Sequence, residues 1–170
     1  NNSTDPVNVE KTLSAIEITP EAPSSIYVYS DGLGRFSYDS SIGFLDENGK
    51  VFIEPKYGFI GNGFSEGFAV VTDKNRNIVI LNTQGNEVFT SDKYSMSAGY
   101  NNLENHSCFH QNRVILHAGQ EGYHVIDSSG NVIYKMQAFN PTGYYSCDRM
   151  LWLMNASGGG KLKIVDLNGK

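Results

Sequence analysis

In four runs of this chain apolar residues recur at positions two apart, the period that puts them on one face of a strand. They share one design: Ile42-Gly43-Phe44-Leu45, Ile78-Val79-Ile80-Leu81, Tyr123-His124-Val125-Ile126 and Leu162-Lys163-Ile164-Val165. Each is followed by an Asx residue and, three positions later, by a glycine: Asp46 and Gly49, Asn82 and Gly85, Asp127 and Gly130, Asp166 and Gly169. An Asx oxygen there can accept backbone N–H groups across a turn, and glycine supplies the positive φ such a hairpin needs. Return strands follow at Val51-Phe52-Ile53, Val88-Phe89 and Val132-Ile133-Tyr134, and an aromatic comes after each, at Tyr57, Tyr94 and Phe139. Another apolar run precedes each hairpin, at 35–38, 68–71, 113–116 and 150–154.

The pattern predicts an all-β chain with a repeat of about forty residues. Its units are three- to four-stranded antiparallel meanders over approximately 26–57, 58–94, 95–139 and 140–170. One meander cannot bury its own apolar face, so the four units are expected to stack, as a β-propeller-like ring or an open curved array. In the middle strand of each unit Ile42/Phe44, Ile78/Ile80, Tyr123/Val125 and Leu162/Ile164 form the core face. The residue between them (Gly43, Val79, His124 or Lys163) varies, and is expected to face solvent or a loosely packed layer.

Composition sharpens this in three respects. Ile and Val, 12 each, outnumber Leu at 10 and Ala at 7, while 17 Asn and 18 Gly supply turns, which argues against a helical bundle. The net charge of −5 argues against a nucleic-acid surface. No apolar run approaches the ~18 residues of a membrane-spanning helix. Residues 1–25 are polar and carry Pro6, Pro20 and Pro23, so they read as a tether, with an edge strand around Leu13 to Ile18 as the alternative. A polar tether ahead of a β-rich domain fits a protein exported and anchored at a cell surface.

Residues 42–71 resemble the bacterial WG β-repeat. The likeness rests on Gly43-Phe44-Leu45-Asp46, Gly49-Lys50, Pro55-Lys56-Tyr57 and Phe64-Ser65-Glu66-Gly67-Phe68-Ala69-Val70-Val71. Ile42 stands where the naming tryptophan falls, and the other three units keep only parts of the pattern. The resemblance implies a β array, and an extracellular or surface-anchored bacterial protein. It implies no catalytic residues.

Candidate chemistry is sparse. In His106-x-Cys108-x-His110 an extended backbone would put all three side chains on one face, as a metal site needs, with His117 or His124 as a further ligand; the alternative is a polar loop. Cys108 and Cys147 each follow a serine and stand equally far before Gly130 and Gly169, so they are expected at equivalent places, as half-buried thiols or as a disulfide between stacked rungs. Tyr144 and Tyr145, beside Pro141 and Gly143 in an expected loop, are the candidate ligand-binding rings, for a sugar face or a protein. Gly61-x-Gly63-x-x-x-Gly67 and Ser157-Gly158-Gly159-Gly160-Lys161 lack the spacing and the following helix of phosphate loops. Asp73-x-Asn75-x-Asn77 starts like a calcium loop but has Gln84 where the bidentate Glu belongs, and reads as a polar turn. The expectation is a non-catalytic binding or scaffolding module without cofactor, with a protein partner or, alternatively, a cell-wall or host glycan.

Overall fold

The computed structural model describes residues 25–59, 63–95, 108–136, 140–146, 149–154 and 161–166. The expected tether lies outside them apart from its last residue. Seven strands run in a single antiparallel meander: β1 (Ser25–Ser30), β2 (Leu33–Tyr38), β3 (Ser41–Leu45), β4 (Val51–Phe59), β5 (Phe68–Thr72), β6 (Ile78–Asn82) and β7 (Glu87–Ser91). Two three-stranded sheets follow. One is β8 (Val114–His117), β9 (Tyr123–Ile126) and β10 (Val132–Met136); the other is β11 (Asn140–Ser146), β12 (Arg149–Met154) and β13 (Lys161–Asp166). The all-β, antiparallel expectation holds, and every strand pairs with its neighbour in sequence.

The Asx–glycine bend forms as the sequence predicts. Asp46 Oδ1 accepts the N–H groups of Asn48 and Lys50 at 2.9 Å each, Asn82 Oδ1 those of Gln84 and Asn86 at 3.1 and 2.9 Å, and Asp127 Oδ1 those of Ser129 and Asn131 at 2.9 Å each. Gly49, Gly85 and Gly130 take φ of 76°, 79° and 84°. Asp73 builds the same bend between β5 and β6, accepting from Asn75 and Asn77 at 2.8 and 2.9 Å, with Arg76 at φ 68° in the glycine place. It is the polar turn expected, with one carboxylate oxygen already taken by the backbone.

A second turn recurs that the hairpin pattern did not reveal. Ser30↔Leu33, Ser65↔Phe68, His110↔Arg113 and Ser146↔Arg149 are the same closing pair of a two-residue hairpin. In the first three the two central residues both have positive φ: Asp31 and Gly32, Glu66 and Gly67, Gln111 and Asn112. That geometry matches the right-handed strand twist. The turn ends a first strand, β1 in the first meander and β11 in the last sheet. β4 supplies it for the second meander, since it pairs with β3 through Val51 to Tyr57 and then with β5 through Gly58↔Thr72 and Phe59↔Val71. Ser95↔His117 is the matching contact one meander later.

Of the two cysteines expected at equivalent places, Cys108 precedes the turn pair His110↔Arg113 by two residues. Cys147 itself lies outside the described residues.

The core also corrects the expected solvent face. Val79 and His124 are both 0% exposed, and Gly43 is buried as well. The second meander is covered on both sides. Ala69, Val71, Val79 and Leu81 pack with Ile42, Phe44, Ile53 and Tyr57 of the first. Val70, Ile78 and Ile80, with Tyr94 at the end of the same meander, pack with Phe109, Val114, Leu116 and Ile126 of the third. Each fully buried aliphatic or aromatic side chain is worth about 1.5–3 kcal/mol, so these two layers are the main stabilisation. Phe64 and Phe109, just ahead of equivalent turns, carry the packing across the junctions: Phe64 meets Phe44 edge-on at 4.9 Å, and Phe109 meets Phe68 at 5.1 Å.

Candidate functional site

Polar side chains converge at two places, both between meanders. The first is formed by the two-residue turns. Asp31 Oδ2 accepts the N–H of Gly67 at 2.7 Å, and Glu66 Oε2 accepts the N–H of Asn112 at 3.0 Å. Asp31 and Glu66 hold the first central place of their turns, Gly67 and Asn112 the second place of the next turn. An acid in one meander thus caps a backbone donor in its successor, twice in the same way. Ser65 Oγ adds a bond to the Phe109 carbonyl at 2.8 Å, and His110 Nδ1 lies 3.7 Å from Glu66 Oε1. Burial works against ionisation of Glu66, but the N–H groups of Asn112 and Gln111 and the His110 ring outweigh it and hold the carboxyl below its usual range.

The second place follows the outer strands. Tyr57 is buried, and its hydroxyl donates to Glu87 Oε1 at 2.6 Å, with Lys56 3.6 Å from the same oxygen. Burial, then Glu87, drives the Tyr57 phenol well above its ordinary value. One meander on, Tyr94 OH lies 3.2 Å from His124 Nδ1, and His124 Nε2 lies 3.3 Å from Glu121 Oε2. Glu121 sits on the short 3-10 turn Gly119–Glu121 and also meets Lys93 at 2.9 Å and Lys135 at 2.8 Å. Hydrogen bonds from Lys135 and Lys93 hold its carboxyl down to about 2.

The residues singled out in the sequence fare differently. His106 lies outside the described residues. Cys108 and His110 do not share a strand face: Cys108 is in a bend, Phe109 is buried between them, and His110 opens the turn. Burial pushes the Cys108 thiol up, away from the thiolate a metal takes. His117 and His124 do not join them; His117 stacks on Tyr123 at 5.0 Å and His124 on Tyr94 at 5.6 Å. Among the described residues no three His, Cys, Asp or Glu side chains gather as a metal site. Tyr144 and Tyr145 belong to strand β11 and not to a loop, next to a register shift between Thr142 and Tyr145 that absorbs Gly143.

One repeated surface position was missed. Phe52, Val88 and Ile133 each stand three residues past a turn glycine, on β4, β7 and β10, and are 47%, 40% and 40% exposed. The sequence contains the offset, but Val51-Phe52-Ile53 is apolar throughout and does not say which residue points out. Next to Phe52 and Val88 lie Ile53 and Phe89, which face the following meander. A Cβ on Gly85 would sit 3.4 Å from Ile53, and one on Gly130 would strike the Phe89 ring. The turn glycines are therefore also the spots where one meander rests on the outer strand of the previous one.

The family model for the WG containing repeat matches residues 42–77, which bears out the resemblance over that stretch. No curated relative matches the sequence. In structure the chain is similar to the computationally designed Ika4 protein, with a TM-score of 0.51 and 15% identity over 89% of this chain and 95% of that one. It is also similar to BamB from Moraxella catarrhalis, with a TM-score of 0.53 and 13% identity over 84% of this chain; it spans 45% of the BamB chain. At these identities the likeness concerns the fold alone. No helix among the described residues is long and apolar enough to cross a membrane.

Proposed function

We propose that this chain is a non-catalytic repeat module of four stacked meanders, exported and held outside a bacterial cell, that binds a protein partner along the outer strands of its units. The observation that carries this reading is the apolar side chain left exposed at one repeated position, Phe52, Val88 and Ile133. An isolated exposed apolar residue needs no explanation, but the same position left open in three successive units marks a surface. The polar groups that converge support a module without chemistry of its own, because Asp31, Glu66 and Glu121 are engaged in holding neighbouring meanders together.

Phe52→Thr, Val88→Thr and Ile133→Thr combined test the reading. The triple variant keeps its unfolding midpoint to within a few degrees, since exposed substitutions cost roughly 0.5 kcal/mol or less each. It loses the proteins that the wild type retains when cross-linked in an extract of the bacterial surface. Retention of the same proteins by the variant defeats the proposal.

A glycan ligand is the second reading. Tyr29 favours it: its ring is 42% exposed and lies flat against Gly34, where any side chain would collide. A glycan array probed with wild type, Tyr29→Ala and Tyr144→Ala/Tyr145→Ala distinguishes the two readings, and an array without signal removes the glycan.

A further inference from the structure

The position of His124 holds Gly43 in the first meander and Val79 in the second. An imidazole in that buried layer is costly unless both ring nitrogens find partners. Tyr94 OH is within hydrogen-bond distance of Nδ1, whereas Nε2 lies 3.3 Å from Glu121 Oε2 without hydrogen-bond geometry, and both neighbours belong to the structure between the second and third meanders. Tyr94 comes from the segment after β7 that leads toward the third, and Glu121 from the turn between β8 and β9.

We propose that Tyr94, His124 and Glu121 form an acid-released latch holding the third meander to the second. We assign the hydrogen of the neutral ring to Nε2, the nitrogen nearer the Glu121 carboxylate, so that Nδ1 accepts the Tyr94 O–H. A second proton goes to Nδ1, and Tyr94 must then turn its hydrogen away from the ring. The new charge is also the third cation around one carboxylate, because Lys93 and Lys135 already hold Glu121. Among the described residues these three charged groups and the Tyr94 phenol are the titratable groups that face the ring. Burial first, and then Lys93, lower the affinity of the ring for the proton, against the pull of Glu121.

The direction follows from linkage. Below the ordinary histidine value of about 6.5 the unfolded or opened chain takes a proton that the closed one refuses, so stability at this junction falls as pH falls. Glu121 stays ionised through that window. The junction of the first and second meanders, built on Tyr57 and Glu87, has no histidine in its core and does not share the response.

Amide hydrogen exchange of the whole chain at pH 7.5 and 5.0, corrected for the intrinsic rates, tests this together with His124→Val, which copies the second meander. In the wild type, protection of residues 114–126 falls about tenfold or more toward pH 5.0 while that of 42–57 holds, one pKa unit being a factor of ten. His124→Val abolishes the difference. An equal loss in both regions, or an unchanged pH dependence in His124→Val, overturns the proposal. Should that variant fail to fold, the wild-type His124 ring is titrated by NMR. A ring that protonates near the ordinary value without loss of protection at 114–126 also overturns it, and one that protonates only as that protection is lost supports it.

Discussion

A single residue decides how well each bend is made. Gly130 combines φ 84° with the Phe89 ring lying on its α-carbon, whereas Gly67 of the two-residue turn, at φ 87°, has open space where a Cβ would go. Gly130→Ala is therefore expected to cost more than the roughly 1 kcal/mol of a left-handed alanine, and Gly67→Ala about that amount, both read from chemical denaturation. Arg76 is the converse case, an arginine at φ 68° where the sister turns have glycine. Arg76→Gly should raise stability by up to about 1 kcal/mol, and a lower unfolding midpoint would show that the arginine side chain is needed where it stands. Asp127 gives a pH signature. Burial opposes its charge, but bonds from Asn131, Ser129 and Gly130 hold its carboxyl below the ordinary range, so its stabilisation is present above about pH 4 and lost as pH falls through the folded value. Asp127→Asn keeps the Oδ1 acceptor, and should flatten that acid limb while changing midpoint stability at pH 7 by about 1 kcal/mol or less.

At the scale of the element, the strands were legible because Asx, glycine and alternation agree at each hairpin. The exposure of each face was not. Period two separates two faces without saying that both are covered, and Val79 and His124 are covered because the second and third meanders each have a neighbour on that side. The two-residue turns escaped notice for a different reason. Ser30-Asp31-Gly32 and Ser65-Glu66-Gly67 look alike, but His110-Gln111-Asn112 keeps the backbone and discards the residues, Asn112 taking over the positive φ of glycine. The His-Cys-His spacing assumed a strand, whereas Cys108 to His110 run through a bend into a turn and His106 lies outside the described residues. At this scale the acid caps are open to a direct test. Glu66→Gln leaves an acceptor for Asn112 and should cost little, whereas Glu66→Ala gives that exposed N–H over to water and should cost about 1 kcal/mol. Equal stability of the two variants would show that water replaces the cap.

For the molecule as a whole, stability is a property of neighbours. A fragment ending at Ser95 retains the layer between the first two meanders but uncovers Val70, Ile78 and Ile80, so it should bind a hydrophobic dye and aggregate where the whole chain does not. A monomeric fragment with native protection would show that the third meander is dispensable. The joints also differ in kind. Through β4 the backbone ladder crosses from the first meander into the second by Gly58↔Thr72 and Phe59↔Val71, whereas among the described residues only the Ser95↔His117 bridge crosses to the third. Pulled from its two ends, such a chain should not give way evenly. The first and second meanders, welded through β4, should yield together as one mechanical block, a stiff root to the chain.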